Sequence, residues 1–446
     1  MDIRKFYEGN EFEAYEYLGA HVSNEGTVFR TYAPNASKVS VIGDFSEWED
    51  IPMKPVEDGR FYELCVPEAE EGMRYKYRIY DKKGNFIDHC DPYGFGMELR
   101  PGTCSVIRDI TGFEFSDEEF IAQQMKLRQS VGALSTPRRE GDKVRIVSGV
   151  FNGRTTGTPI TFIIENEDTR SKDYGELAYK ARPGHADYSA QMKYHGFQDF
   201  RGGGHFSGRI TAGVVAAGAV AISALRKKGI KIATHILSCG GVFDRSFEDI
   251  NADIDRLNTM EFAVLDDEKA QAMQAAITAA KEEGDSVGGR LETIVTGVPA
   301  GVGEPWFDTI ESVLSHALFG IPAVKGVEFG AGFAAADMRG SQCNDNFRTE
   351  NGTLTAATNN NGGILGGITT GMPILFRTAI KPTPSIYKEQ QTIDMRTMDN
   401  TTLQIKGRHD PAIVHRARVV ADSITALVLC DQLSQRFGTD WLAANS

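Results

Sequence analysis

The chain has 446 residues, 41% hydrophobic and 24% charged, with a net formal charge of -13. This is enough for two or more globular domains with a sizeable core. Residues 1–120 hold 25 acidic and 13 basic side chains and the remainder holds 36 and 35, so the acidity belongs to the N-terminal part and argues against a nucleic-acid partner. By this reading no apolar run approaches a membrane span and MDIRKFYEGNEF has no signal-peptide pattern, which leads to the expectation of a cytoplasmic, non-membrane protein. Six scattered cysteines without a CxxC pair indicate reduced thiols, with neither a metal knuckle nor a disulfide framework.

Residues 1–115 are expected to be all-β. GTVFRTYAP, KVSVIGDF, FYELCVP and MRYKYRIYD are rich in Val, Tyr and Phe, with turn residues between them, and predict a small β-sandwich. Trp48, Tyr75 and Tyr77 either offer flat faces to sugar rings or pack the core, the second being the weightier reading. The stretches YLGAHVSNEGTVFRTYAPNASKVSVIGDFSEW and DPYGFGMELRPGT resemble the family-48 carbohydrate-binding module of bacterial glycogen branching enzymes. The resemblance implies an α-glucan as partner for this module. Nothing downstream resembles the catalytic barrel of those enzymes, so no glycosyl transfer is implied.

At Ser116 the texture changes, and the boundary between residues 1–115 and 116–446 is placed there. SDEEFIAQQMKLRQ opens with a capping-box pattern, Ser116 followed by Glu119. VRIVSGVF, PITFIIEN, RLETIVTGVP and PAVKGVEFG read as strands. Residues 212–228, 267–283, 306–318 and 411–437 read as helices. The expected fold class is therefore α+β: a small β-sandwich followed by a layered β/α core. GRTTGTPI (153–160) returns as GITTGMPI (367–374) with six of eight identical, and GHFSGRITAG (204–213) against GGILGGITTG (362–371) keeps five of ten. These echoes predict an internally duplicated core.

The loop RGGGHFSGRITAG (201–213) feeds an apolar helix, and such a loop reads either as an anion site or as a tight turn before a core helix. Four further clusters join titratable groups to turn residues: STPRRE, RPGHADY, NNNGGILGG with KPTPS, and GRHDP. His185 beside Asp187 reads either as a general acid/base or as a surface turn. Asp410 before Pro411 reads either as a site carboxylate or as the cap of the last helix. Several arginines among glycine loops favour an anionic ligand.

GVFNGRTTGTPI, TRSKDY, RPGHADY, RGGGHFSGRITAG, KGVEFGAGF, RGSQ, NNNGGILGGITTGMPI, KPTPS and GRHDP together resemble the chorismate synthase family, in its order and spacing, over about residues 118–440. The resemblance implies elimination of phosphate, anti and 1,4, from 5-enolpyruvylshikimate 3-phosphate to give chorismate, the reaction that serves aromatic amino acid biosynthesis. It implies reduced FMN as cofactor, with NADPH a candidate reductant, a small anionic substrate, no metal, and a homotetramer. It makes His185 the histidine beside reduced flavin and Asp410 the carboxylate near its N5, a candidate for taking the substrate proton. His205, Phe206, Ser207, Pro322, Ala323, Gly366, Lys381, Pro382, Thr383, Pro384, Ser385 and Arg408 match its FMN-contacting positions. Arg128, Arg138 and Arg209 are the candidates for the substrate anions.

One departure matters. The family's opening strands and a Gly-Glu-Ser-His-Gly loop, with a second histidine by the phosphate, have no counterpart, and the β module occupies their place. His21 and His89 do not substitute, and Leu127 and Ala133 stand where arginines are common. Loss of an acid near a departing phosphate implies a rate lowered by roughly 10²–10⁴. The alternatives are a glucan-binding module fused to an inactive remnant, or a chimera without function.

Overall fold

A computed structural model describes residues 2–9, 11, 14–23, 25–98, 102–108, 117–129, 141–151, 154–165, 178–199, 205–350, 352–405 and 409–443. The chain forms two compact units, one of residues 1–116 and 146–161 and the other of residues 117–145 and 162–446.

In the first unit, helix α1 (Ile3–Tyr7) precedes, among the described residues, the short strands β1 to β10. Strands β1 (Gly19–Ser23), β2 (Gly26–Tyr32), β5 (Lys54–Val56) and β6 (Phe61–Val66) form one antiparallel sheet in the order β1-β2-β6-β5. The second sheet runs β4-β3-β7-β10-β9, from β4 (Ile51–Pro52), β3 (Lys38–Gly43), β7 (Arg74–Tyr80), β10 (Ser105–Val106) and β9 (Gly96–Met97), with β8 (Phe86–His89) paired to β7. Strand β2 alternates buried and half-buried residues, the period-two signature of a strand with one face on the core. That core gathers Phe29, Val39, Val41, Tyr62, Tyr75, Tyr77 and Ile107. Tyr75 and Tyr77 are fully buried, and both hydroxyls donate to the buried Asp91 carboxylate at 2.7 and 3.0 Å. They offer no face to a sugar, because each phenol is occupied as a core residue with a satisfied polar end. Trp48 is half-buried, with its Nε1 donating to Asp44 at 3.3 Å. Strands β12 (Val150–Phe151) and β13 (Arg154–Thr155) form a hairpin of this unit, and Phe151 packs edge-on against Tyr15 with ring centroids 4.8 Å apart. Strand β11 (Val144–Ser148) pairs with β14 (Thr161–Ile164).

The second unit opens with α2 (Asp117–Arg128), α3 (Asp187–Lys193) and α4 (Thr211–Lys227). Its centre is a sheet ordered β16-β15-β17-β23-β18, from β15 (Lys231–Cys239), β16 (Val242–Phe243), β17 (Gly289–Thr296), β18 (Val324–Phe329) and β23 (Ile374–Ile380). Helices α5 (Ile250–Leu257), α6 (Asp267–Glu282) and α7 (Ile310–Leu318) lie between these strands in the chain, with a short α8 (Gly340–Cys343). Hairpins β19 (Phe347–Glu350) with β20 (Thr353–Ala356), and β21 (Ile364–Leu365) with β22 (Ile368–Thr369), precede β23. Hairpin β24 (Gln390–Ile393) with β25 (Asn400–Leu403) follows it, before α9 (Val414–Phe437) and α10 (Asp440–Ala443).

Residues of β15 are buried without alternation, as expected of a strand covered on both faces. One face meets α9, where Thr234 donates to Asp422 at 2.6 Å. The other meets α5, whose Ile254 and Leu257 pack on Ala233 and Ile294. The four helices expected from sequence form, with residues 306–308 as a short 3-10 turn before α7. Both copies of the internal echo enter a strand directly after Pro-Ile or at its Ile: β14 follows Ile160 and β23 starts at Ile374. The two strands belong to different sheets, β14 to a two-stranded sheet and β23 to the central one.

One expectation is corrected. Residues 208–227 are apolar enough, at mean hydropathy 1.6, to match a membrane span by length and composition, so such a run does exist. Half of it is buried, and it lies against α2 and α9 as a core helix. Gly218 shows how tightly: a Cβ there would lie 2.2 Å from Ser423 Cβ and 2.5 Å from its Cα. The small residues of AGVVAAGAVAISAL are what allow α4 and α9 to approach so closely.

A charged chain crosses the sheet's α5 side. Fully buried His235 holds Asp244 through Nδ1 at 2.9 Å and Glu292 through Nε2 at 3.1 Å, and Arg377 binds Glu292 at 2.7 Å. Burial pulls His235's pKa down, but the two carboxylates outweigh it and raise it above the ordinary value.

Two measurements check this packing. Gly218→Ala is expected to lower the unfolding free energy by about 1–3 kcal/mol through overpacking, seen as a lower urea midpoint. The raised pKa of His235 means its contribution is complete below its unfolded value, about pH 6.5, and is lost as pH rises through the folded value. The stability difference between wild type and His235→Gln should therefore shrink from neutral to alkaline pH; a difference independent of pH would contradict the assignment.

Candidate functional site

The sequence Arg182-Pro-Gly-His185 is built to turn. Pro183 presets its φ, Gly184 takes φ +72°, and His185 N–H donates to the Arg182 carbonyl at 3.1 Å, the pattern of a type II turn. The turn delivers His185 next to Asp187, which opens α3. Nδ1 lies 2.7 Å from Asp187 Oδ1, and Arg182 grips the same carboxylate with Nε and Nη2, each at 2.7 Å. Burial would raise the Asp187 pKa, but the Arg182 hydrogen bonds, and His185 after them, hold it well below the usual carboxylate range.

The turn is anchored by the segment after β23. Lys381 Nζ donates to the Gly184 carbonyl, and a Cβ on Gly184 would touch Pro384 Cβ at 3.4 Å. The preceding residues rest on the β24–β25 hairpin: Thr392 donates to the Ala181 carbonyl, and Met395 N–H to the Tyr179 carbonyl at 2.8 Å. Lys381 N–H donates to the Ala323 carbonyl at 2.9 Å, which ties Pro322 and Ala323 to the same place. Ala323 has φ +77°, a left-handed conformation rarely taken by a residue with a side chain.

Asp410 arrives from the other side. Val287 N–H donates to the Pro411 carbonyl at 2.8 Å, while a Cβ on Gly288 would lie 2.9 Å from Pro382 Cδ. The 381–385 and 409–411 segments thus flank the same two residues. The rings of Tyr387 and His409, 6.0 Å apart, make a second meeting of these segments. Asp410 Oδ2 accepts from Arg416 Nη1 at 2.5 Å, and Arg416 Nε donates to the Arg128 carbonyl at 2.7 Å. Arg128 is buried against Asp142, Nη2 to Oδ2 at 2.5 Å, and Arg209 Nη1 stands 3.7 Å from the other oxygen of Asp142. Arg209 follows His205, Phe206 and Ser207, and the Phe206 ring lies 6.5 Å from Tyr194, just past α3.

So His185, Lys381 to Ser385, Pro322, Ala323, Asp410, Arg128, Arg209 and the 205–207 segment are linked by contacts around one end of the sheet. That end is where Cys239, Gly289, Ile380 and Val324 are register neighbours. Gly366 is not among them. Its hairpin is bonded to the loop after β17, Thr369 N–H to the Val302 carbonyl at 2.9 Å, and to α7, Ile310 N–H to the Gly367 carbonyl at 3.0 Å. Within one chain it lies in the β21–β22 hairpin that precedes β23, while Lys381 follows that strand's far end, the strand itself spanning about 20 Å at strand rise. Arg138, Arg408 and residues 201–204 of the glycine loop lie outside the described residues. Sequence reasoning missed Asp142 and Arg416. Asp142 carries no motif; Arg416 sits in the first turn of α9, six residues beyond Asp410, and that spacing was its only signal.

A layered α+β body, with a loop-built polar site at one end of its sheet and a β-sandwich of carbohydrate-binding type before it, defines an enzyme with an appended module. The comparisons with known proteins agree. The chorismate synthase family matches residues 103–434, and carbohydrate-binding module 48, the isoamylase N-terminal domain, matches residues 17–94. A chorismate synthase of Methanosarcina acetivorans is 48% identical over 324 residues, covering 72% of this chain and 88% of that protein. That of Korarchaeum cryptofilum is 48% identical over 351 residues, with 76% and 96% covered. A crystal structure of chorismate synthase superposes with a TM-score of 0.55 at 27% identity, covering 83% of this chain and 90% of that one. The chain belongs to the chorismate synthase family and is by class a lyase.

The Arg128–Asp142 pair is expected to hold this side of the site together. Asp142→Ala removes the buried carboxylate that Arg128 and Arg209 both face, and a loss of roughly 3–5 kcal/mol in urea unfolding is expected; a loss under about 1 kcal/mol would mean that this pair contributes no more than an exposed ion pair does.

Proposed function

We propose that the chain eliminates phosphate and a proton from 5-enolpyruvylshikimate 3-phosphate to give chorismate, with reduced FMN bound at the end of the central sheet. The observation that carries this reading is the convergence of His185, Lys381 and Asp410 with the cationic pair Arg128 and Arg209. The fit to a flavin can be tested on the residues themselves. Thr383, in the 381–385 segment, has a buried Oγ1 with no hydrogen-bond partner among the described residues, and Gly184 leaves the turn bare beside Pro384. A ring edge rich in acceptors would satisfy the hydroxyl, and a flat molecule suits a turn with no Cβ.

The reaction removes one C–H proton and breaks one C–O bond in the same molecule, so it is redox neutral overall. Reduced flavin would supply an electron-rich ring beside the breaking bond. The chain's own part is to bind and deliver. Arg209 would orient an anionic substrate, since arginine meets carboxylate and phosphate with two parallel hydrogen bonds, and Arg128, buried against Asp142, would hold that side of the site in place. Asp410, held by Arg416, would accept the proton. His185, held by Asp187, would exchange a proton at its outward nitrogen. The match to module 48 supports an α-glucan as the ligand of the β module, separable from the enzyme reading by co-sedimentation with glycogen.

Anaerobic incubation with chemically reduced FMN and substrate should release phosphate and chorismate in equal amounts. The rate should lie roughly 10²–10⁴ below that of a family member carrying the second histidine loop. Retention of FMN without any phosphate release would refute the proposed reaction, and turnover at the usual family rate would show the missing loop to be dispensable.

A further inference from the structure

The carboxylate beside His185 has its acceptor sites almost fully assigned. Asp187 Oδ2 accepts from the Arg182 backbone N–H at 2.9 Å and from Arg182 Nε at 2.7 Å. Oδ1 accepts from Arg182 Nη2 at 2.7 Å and lies 2.7 Å from His185 Nδ1. Arg182 Nη2 also lies 3.0 Å from Nδ1, but a guanidinium can only donate, and so can a ring nitrogen that faces a carboxylate at bonding distance. Oδ1 is therefore the shared acceptor, and Nδ1 carries the proton. The three side chains are largely shielded, at 6, 10 and 13% exposure for Arg182, Asp187 and His185. Lys381, bonded to the Gly184 carbonyl, braces the turn from outside.

Resting on the reading of the site given above, we propose that Asp187, clamped by Arg182, is a positioning residue that fixes His185 as the Nδ1–H tautomer and leaves Nε2 as its working nitrogen. The consequence is directional. A neutral His185 offers only a lone pair at Nε2, so it accepts there. It donates there only as imidazolium, with its charge against the Asp187 carboxylate. Because that carboxylate is held ionised well below the usual carboxylate range, the clamp itself does not change state near neutral pH.

The isosteric Asp187→Asn separates this role from mere packing. The amide oxygen should settle at the Oδ2 position, where two Arg182 donors converge. That leaves the NH2 group facing Nδ1, which must then become an acceptor, and the proton moves to Nε2. The same exchange in a catalytic Ser-His-Asp triad yields the wrong tautomer with intact geometry.

The test uses the full chain with 15N-labelled imidazoles, at a pH above the ordinary histidine range, the His185 signals being those absent from His185→Gln. Wild type is expected to show a protonated Nδ1 and an unprotonated Nε2, and Asp187→Asn the reverse. FMN retention should stay within about threefold while turnover drops by roughly 10²–10⁴. An Nε2–H form in the wild type overturns the proposal without any variant, as does an unchanged tautomer in Asp187→Asn or a reversed tautomer with unchanged turnover. If the tautomer reverses as expected but the wild type binds FMN and never turns over, the proposed reaction fails while the assignment of the clamp stands.

Discussion

The absence of side chains at Gly288 and Gly289 is the constraint on which the candidate site depends. A Cβ at Gly288 would lie 2.5 Å from the Ile380 carbonyl oxygen and 2.9 Å from Pro382; one at Gly289 would lie 2.2 Å from the Ser238 carbonyl oxygen and 3.1 Å from Val414. Three chain segments can therefore pass close over the start of β17: the end of β15, the exit of β23 and the entry of α9. Both positions have ordinary backbone angles, so the demand is for space and not for a left-handed conformation. Lys381 and Asp410 hang from these segments: Lys381 directly follows Ile380, and Asp410 precedes Pro411, whose carbonyl accepts from Val287 N–H.

Much of the fold was legible because its signals are local. The strands of the β module alternate or run apolar, and the helices over 267–282 and 414–437 follow patterns that tertiary context did not need to override. The turn at Arg182 to His185 was legible in the same way, since Pro followed by Gly specifies it. What was not legible is what depends on long-range register. Strand β15 is buried on both faces, so KIATHILSC has no alternation to betray it. The hairpin β24–β25, which supports the His185 turn, announces itself by no residue of its own. Whether Tyr75 and Tyr77 line a sugar site or a core was decided by Asp91, a residue fourteen or sixteen positions away that gives both hydroxyls a buried partner.

The site residues divide on the same principle. The motifs name His185, Lys381, Asp410 and Arg209, of which the first three lie on loops or turns and Arg209 in a helical turn before α4, but motif order is silent on distance. Gly366 and Lys381 stand only fifteen residues apart in sequence, with a whole strand between them. Asp142 and Arg416, by contrast, lie far apart in the chain and are joined through Arg128. Arginine rows in a sequence do not reveal which member is buried against an acid and which faces a ligand, and that difference separates a brace from a binding group.

The charged row through the sheet, Asp244, His235, Glu292 and Arg377, has a bearing on how this sequence can drift. Asp244, His235 and Glu292 have fully buried side chains and Arg377 closes the row at its partly exposed end, so a buried member replaced alone leaves the next uncompensated. Divergence at these four positions should then proceed by concerted replacement, with intermediates disfavoured, and the set would be inherited as a block even where the surrounding apolar residues interchange freely.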